Sequence, residues 1–206
     1  MAQQRPRQLT PVTKAALCFV LALLALLALN YAYAPLLIEA LLPLFRWEIA
    51  QLDDAYRVLD LTLSQQGADT VLRLEVGVAH DIVIGGQVLP ADPRARANVS
   101  TLVGHITQPA MLCLALILAW PARRPIEYPL RALIACTGLA FAILIDVPFI
   151  LWAEVWDIHV SAFEPNRFSL LLLWRDFLQG GGRFVLGLAV GVLAVAAGQR
   201  LAVSRA

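Results

Sequence analysis

Charge is scarce in this sequence. Of 206 residues only 15% are charged, against 60% hydrophobic, and the net charge is +1. Soluble domains carry about a quarter charged residues. With so little net charge, no global field attracts nucleic acid. Lysine is nearly absent: Lys14 is the one lysine among 16 basic residues. Cysteine is limited to Cys18, Cys113 and Cys136, each inside an apolar run. None falls in the polar segment after the first run, where an oxidising compartment would favour disulfides. The three read as small hydrophobes rather than reactive thiols, which need an electropositive and partly open setting. There is no Walker loop, dinucleotide fingerprint, GxSxG or HExxH, and no cofactor is implied.

What the sequence has is long apolar runs. Residues 15–37, 104–120, 128–152 and 183–202 each approach or exceed the length that crosses a bilayer. The first run follows Arg5, Arg7 and Lys14 and ends in Ala32-Tyr33-Ala34. It resembles a signal peptide there, but Pro35 follows the small residues, so it reads as an uncleaved anchor. Basic residues mark the cytoplasmic flanks. They occur at the N-terminus, in PARRPIE (Arg123, Arg124) and in the tail (Arg200, Arg205). Four spans satisfy all of these together. The expected fold is a mainly α membrane protein, a four-helix bundle with both termini cytoplasmic. Residues 1–14, 121–127 and 203–206 then lie inside, and 38–103 and 153–182 outside.

The segment 38–103 changes period from helical to two. Leu59, Leu61 and Leu63 alternate with polar residues, as do Leu72, Leu74, Val76 and Val78. A turn at Gly67 joins the two stretches. Ile82 and Ile84 predict a third short strand before Gly85-Gly86. The rest, through Pro90 and Pro93, reads as a polar return to the membrane. This predicts a small extracytoplasmic β meander that cannot bury a core alone. Its edge is suited to β-addition by a partner chain. Residues 168–179, with Trp174, Arg175 and Asp176, predict an amphipathic helix on the outer surface.

One carboxylate sits where it costs energy. Asp146 lies within ALIACTGLAFAILIDVPFILW, about six residues, or about 9 Å, before Trp152. Arg183, opening the fourth span from the same side, is the expected partner. The pair reads either as a packing lock or as one wall of a polar cavity for a substrate, lipid headgroup or signal peptide. Gly180, Gly181 and Gly182 read either as a hinge or as an anion site at a helix start. His105, Glu154, Asp157 and His159 form a second candidate polar cluster. Its spacing, even with Glu164, matches no strong metal signature.

Two stretches carry a resemblance. VLPADPRARANVSTLVGHITQPAMLCLALILA returns to the second span, and DFLQGGGRFVLGL opens the last. With the anchor and the strand-rich insert, this layout resembles the exosortase H-associated membrane protein family. These are small bacterial inner-membrane proteins encoded beside an exosortase. Exosortases process a C-terminal sorting signal made of a short motif, an apolar span and a basic tail, so the resemblance implies a place in that pathway rather than a reaction. The chain departs from the enzyme itself, which needs Cys, Arg and His near the outer face, whereas Cys113 and Cys136 are expected mid-membrane. This argues for an accessory role beside the sorting enzyme or its substrates. Two other expectations compete with it: a transporter or channel subunit with a polar cavity near Asp146, and a membrane enzyme acting on a lipid or peptide signal.

Overall fold

A computed structural model describes residues 10–92 and 94–204. Arg5, Arg7, Pro93 and Arg205 therefore lie outside the described residues. The described residues are mainly helical, with a three-stranded sheet and a two-stranded ribbon. Helix α1 runs Pro11–Leu52. Strands β1 (Tyr56–Gln66), β2 (Asp69–Val78), β3 (Ile82–Ile84), β4 (Gln87–Leu89) and β5 (Arg96–Leu102) follow. Then come α2 (Val103–Ala119), α3 (Glu127–Phe163), α4 (Leu170–Phe177) and α5 (Arg183–Ser204). Among the described residues, three helical stretches are long and apolar enough to cross a membrane: Val12–Leu52, Glu127–Phe163 and Leu170–Val203. The fourth apolar helix, Val103–Ala119, is shorter.

Two helices outlast the runs that announced them. α1 continues past residue 37 for 15 more residues, and α3 continues past Trp152 to Phe163. At 1.5 Å per residue they are about 63 and 55 Å long, against about 30 Å of hydrocarbon. The extra turns persist because they have a core to bury. Ala34, Ile38, Phe45 and Ile49 form one stripe on α1, spaced four, seven and four residues apart. They join Val147, Ile150, Leu151 and Val155 of α3 and the inner face of the sheet in one hydrophobic cluster. By contrast, the most apolar window of α1 has no buried residue. Its side chains are exposed or half-buried, and α1 packs chiefly on α2.

The sheet has the order β1-β2-β5, all antiparallel. This corrects the expected meander. Its third strand is Arg96–Leu102, the segment read as a polar return. Ile82–Ile84 instead pairs with Gln87–Leu89 in a separate two-stranded ribbon. Gly85 and Gly86 carry φ of 58° and 74°, the tight turn that closes a two-residue hairpin and keeps it apart. A second correction concerns Leu59. The register slips between Val58 and Asp60. That bulge turns Leu59 out of the Leu61–Leu63 face, and its side chain lies over Gly77. Leu61, Leu72, Leu74 and Val76 remain buried on the inner face.

A second, smaller cluster fills the other end of the bundle, from Cys113 and Ile117 of α2, Ala135 of α3, and Ala194 and Val195 of α5. Cys113 is buried there, whereas Cys18 and Cys136 are exposed on the outside of the bundle. Glycines let α5 approach closely. A side chain at Gly187 would strike the Pro109 backbone, and one at Gly191 would crowd Cys113 and Leu116. The GxxxG of α5 is thus filled by α2 of the same chain.

Candidate functional site

The half of the bundle nearer the sheet is stitched by a polar ladder between α3 and the α4–α5 segment. Its lowest rung is Asp146 and Arg183. Arg183 Nε donates to both carboxylate oxygens at 3.0 and 2.7 Å, and Nη2 donates to Oδ1 at 2.8 Å. Both residues are buried, at 6% and 5% exposure. A buried charge needs such a partner, since an unpaired one costs several kcal/mol. Higher up, Gln179 Nε2 donates to Glu154 at 2.7 Å. Arg175 then reaches Asp157 at 2.8 Å, with Asp176 at 3.0 Å and Glu154 at 4.0 Å. Descending order along α3 is thus matched by ascending order along α4 and α5, as antiparallel packing requires.

Pro148 shapes the same region. It has no N–H to give the carbonyl four residues back, which opens the helix there. The indole of Trp174 donates to the neighbouring Ile145 carbonyl at 3.1 Å. Trp174 therefore faces the bundle while Leu170, Leu173 and Phe177 of α4 stay exposed. Arg175 and Asp176 take the polar side. This is the two-faced character of a helix lying at an interface.

The glycine run is a joint. Gly181 has φ of 103°, a left-handed conformation that breaks the helix between α4 and α5. The joint lets Arg175 and Trp174 meet α3 from one direction and Arg183 from another. Gly180 has open space at its Cβ, while Gly182 lies against Phe177. Arg183 turns to Asp146 rather than back over the glycines.

The second expected cluster is divided. Glu154 and Asp157 share Arg175, but His159 turns away from them. Its Nδ1 lies 2.9 Å from the Tyr56 hydroxyl and 3.1 Å from the Val155 carbonyl. Among the described residues, no group of three His, Cys, Asp or Glu side chains converges as a metal site. Tyr56 is buried edge-on against Trp152 with ring centroids 4.9 Å apart. Burial, then nearby Asp53, pushes the phenol above its ordinary range. These contacts seat the start of β1 on α3. His105, on α2, makes no hydrogen bond to Asp146 or Glu154. It lines two cavities at the junction of β5 and α2.

Cavity size bears on what Asp146 can do. The space beside Asp146 and Arg183 against α2 is about 20 Å³, room for about one water. On the other side of Arg183, a cavity of about 420 Å³ is lined by Ser100, Thr101, His105 and Gly181 among others. Asp146 does not line it.

A second buried pair went unread in the sequence. Arg131 and Glu127 lie at the opposite end of the bundle, 2.5 Å apart and almost without exposure. Arg131 also donates to the carbonyls of Trp120 at 2.8 Å and Pro121 at 3.4 Å. Glu127 accepts from the backbone N–H groups of Arg123 and Arg124, both at 3.1 Å. Arg124 in turn donates to the Ala202 carbonyl at 2.9 Å. The tight link between α2 and α3 is thereby tied to the end of α5. A side chain at Gly198 would collide with the stem of Arg131, so that glycine makes room for it. The signal was present: Glu four residues before Arg is a favourable helical pair.

Comparison with protein-family models, with curated proteins and with solved structures gives no match.

Proposed function

We propose that the chain is a non-enzymatic accessory subunit of a membrane protein-sorting system of the exosortase type. In this reading it crosses a bacterial inner membrane four times with both termini in the cytoplasm. The sheet stands on the outer side, raised on the extended ends of α1 and α3. It binds the sorting enzyme or the chains that enzyme processes.

One observation carries the proposal. The sheet is open: β1 and β5 each pair on one side only, with β2. An unpaired edge is a template for an extended segment of another chain. The inner face is spent on the chain's own helices. The edge is what the platform leaves for a partner. The basic flanks agree with the orientation, because the link at Arg124 meets the end of α5 on the side away from the sheet. The small space at Asp146 gives little support to a transport cavity there.

Affinity purification of the tagged chain from native membranes, followed by mass spectrometry, tests the proposal. Recovery of a polytopic sorting enzyme, or of proteins with an apolar span and basic tail at the C-terminus, is the expected result. Recovery of the chain alone, or with a transport complex, would refute it.

A further inference from the structure

The cavity of about 420 Å³ at the foot of the sheet has a built-in cation and no acid in its lining. Arg183 spends Nε and Nη2 on Asp146. Among the described residues, Nη1 has no hydrogen-bond partner. The guanidinium is held rigidly, 5% exposed, with donor capacity left over. Around the same space stand Thr101, on the inner face of β5, and His105. A hydroxyl that rotates and an imidazole can both donate hydrogen bonds. Leu102 and Phe184 supply an apolar wall. The cavity lies level with α5's first turn and with the start of α2, where the apolar runs begin. In the four-span reading proposed above, that lies toward the headgroups of the outer leaflet.

We infer that this cavity is a binding site for a phosphate group, held by Arg183, His105 and Thr101. Its fitting source is the headgroup of an anionic phospholipid in the outer leaflet, with the acyl chains against Phe184 and Leu102. The chemistry suits the site. Phosphate offers several acceptor oxygens, and a fixed guanidinium beside a hydroxyl and an imidazole answers them with hydrogen bonds. Because Asp146 holds Nε and Nη2, an anion can take Nη1 without displacing the carboxylate. The inference does not depend on the identity of the protein partner.

The test uses the whole chain, delipidated in detergent, with native mass spectrometry as the readout. Three probes are compared: phosphatidylglycerol, diacylglycerol with the same acyl chains, and inorganic phosphate. Retention of one phosphatidylglycerol per chain, with diacylglycerol lost, is the expected result. His105→Ala and Thr101→Ala, which leave the buried pair intact, should each weaken retention about tenfold. Asp146→Leu combined with Arg183→Met removes the guanidinium while keeping the site filled, and should abolish it. Inorganic phosphate binding with the same variant pattern would support the phosphate site and assign it to a free anion. Equal retention of diacylglycerol, or retention indifferent to all three variants, would overturn the inference.

Discussion

Asp146 and Arg183 hold each other in a place where neither could stand alone. Removing one partner leaves a buried charge, which costs about 3–5 kcal/mol. Asp146→Asn should therefore lower thermal stability in detergent by that order and reduce abundance in membranes. Replacing both, as Asp146→Leu with Arg183→Met, should recover most of the loss, because a filled apolar site avoids the desolvation of two charges. If the double variant stays as unstable as the single one, the pair does more than neutralise itself. The two residues were legible in the sequence for a simple reason: a lone carboxylate in an apolar run demands a cation at matching depth. Arg131 was not legible in the same way. It sits near basic flanks that read as ordinary topological charge, and its partner Glu127 lies just outside the apolar run. Only the fold shows that the α2–α3 link closes over both.

At the level of elements, periodicity and length located the helices but not their ends. The apolar runs end near the membrane boundary and leave open whether the helices go on. α1 and α3 run on because Phe45, Ile49 and Val155 are buried beyond it. Strand β5 was hidden for a related reason. Its outward side chains Arg96, Asn98 and Ser100 are polar, and its inner ones, Ala97, Val99 and Thr101, are small. That alternation is too weak to declare a strand without its neighbour β2. The glycines of α5 separate by what surrounds them. Gly187→Ala puts a methyl on the Pro109 backbone and should destabilise the bundle by about 1–3 kcal/mol. Gly180→Ala meets nothing within 4 Å and should be close to neutral. Thermal unfolding of the two variants in one detergent checks the contrast. Equal effects would mean that α5 does not pack on α2 at Pro109.

As a whole, the molecule divides into a bundle tied at both ends and a sheet standing on two long helices. At one end Arg131 and Arg124 fasten the α2–α3 link to α5; at the other the ladder from Asp146 to Asp157 fastens α4 and α5 to α3. The sheet shares its core with that second end. A topology test follows. In a background lacking the three native cysteines, Val83→Cys, exposed on the β3–β4 ribbon, should react with a membrane-impermeant maleimide in intact inner-membrane spheroplasts. Arg123→Cys should react only after permeabilisation. The opposite pattern would invert the proposed orientation and remove the sheet from the outer side. The measurement closest to the central claim is site-specific photocrosslinking from the open sheet edge. A photoreactive residue at Asn98 of β5, compared with one at Val83 of the ribbon, keeps the fold intact and samples two faces of the same platform. The account predicts that Asn98 captures a membrane sorting enzyme or a protein bearing a sorting tail, and that Val83 does not. Capture from Val83 alone, or no such capture from Asn98, would contradict it.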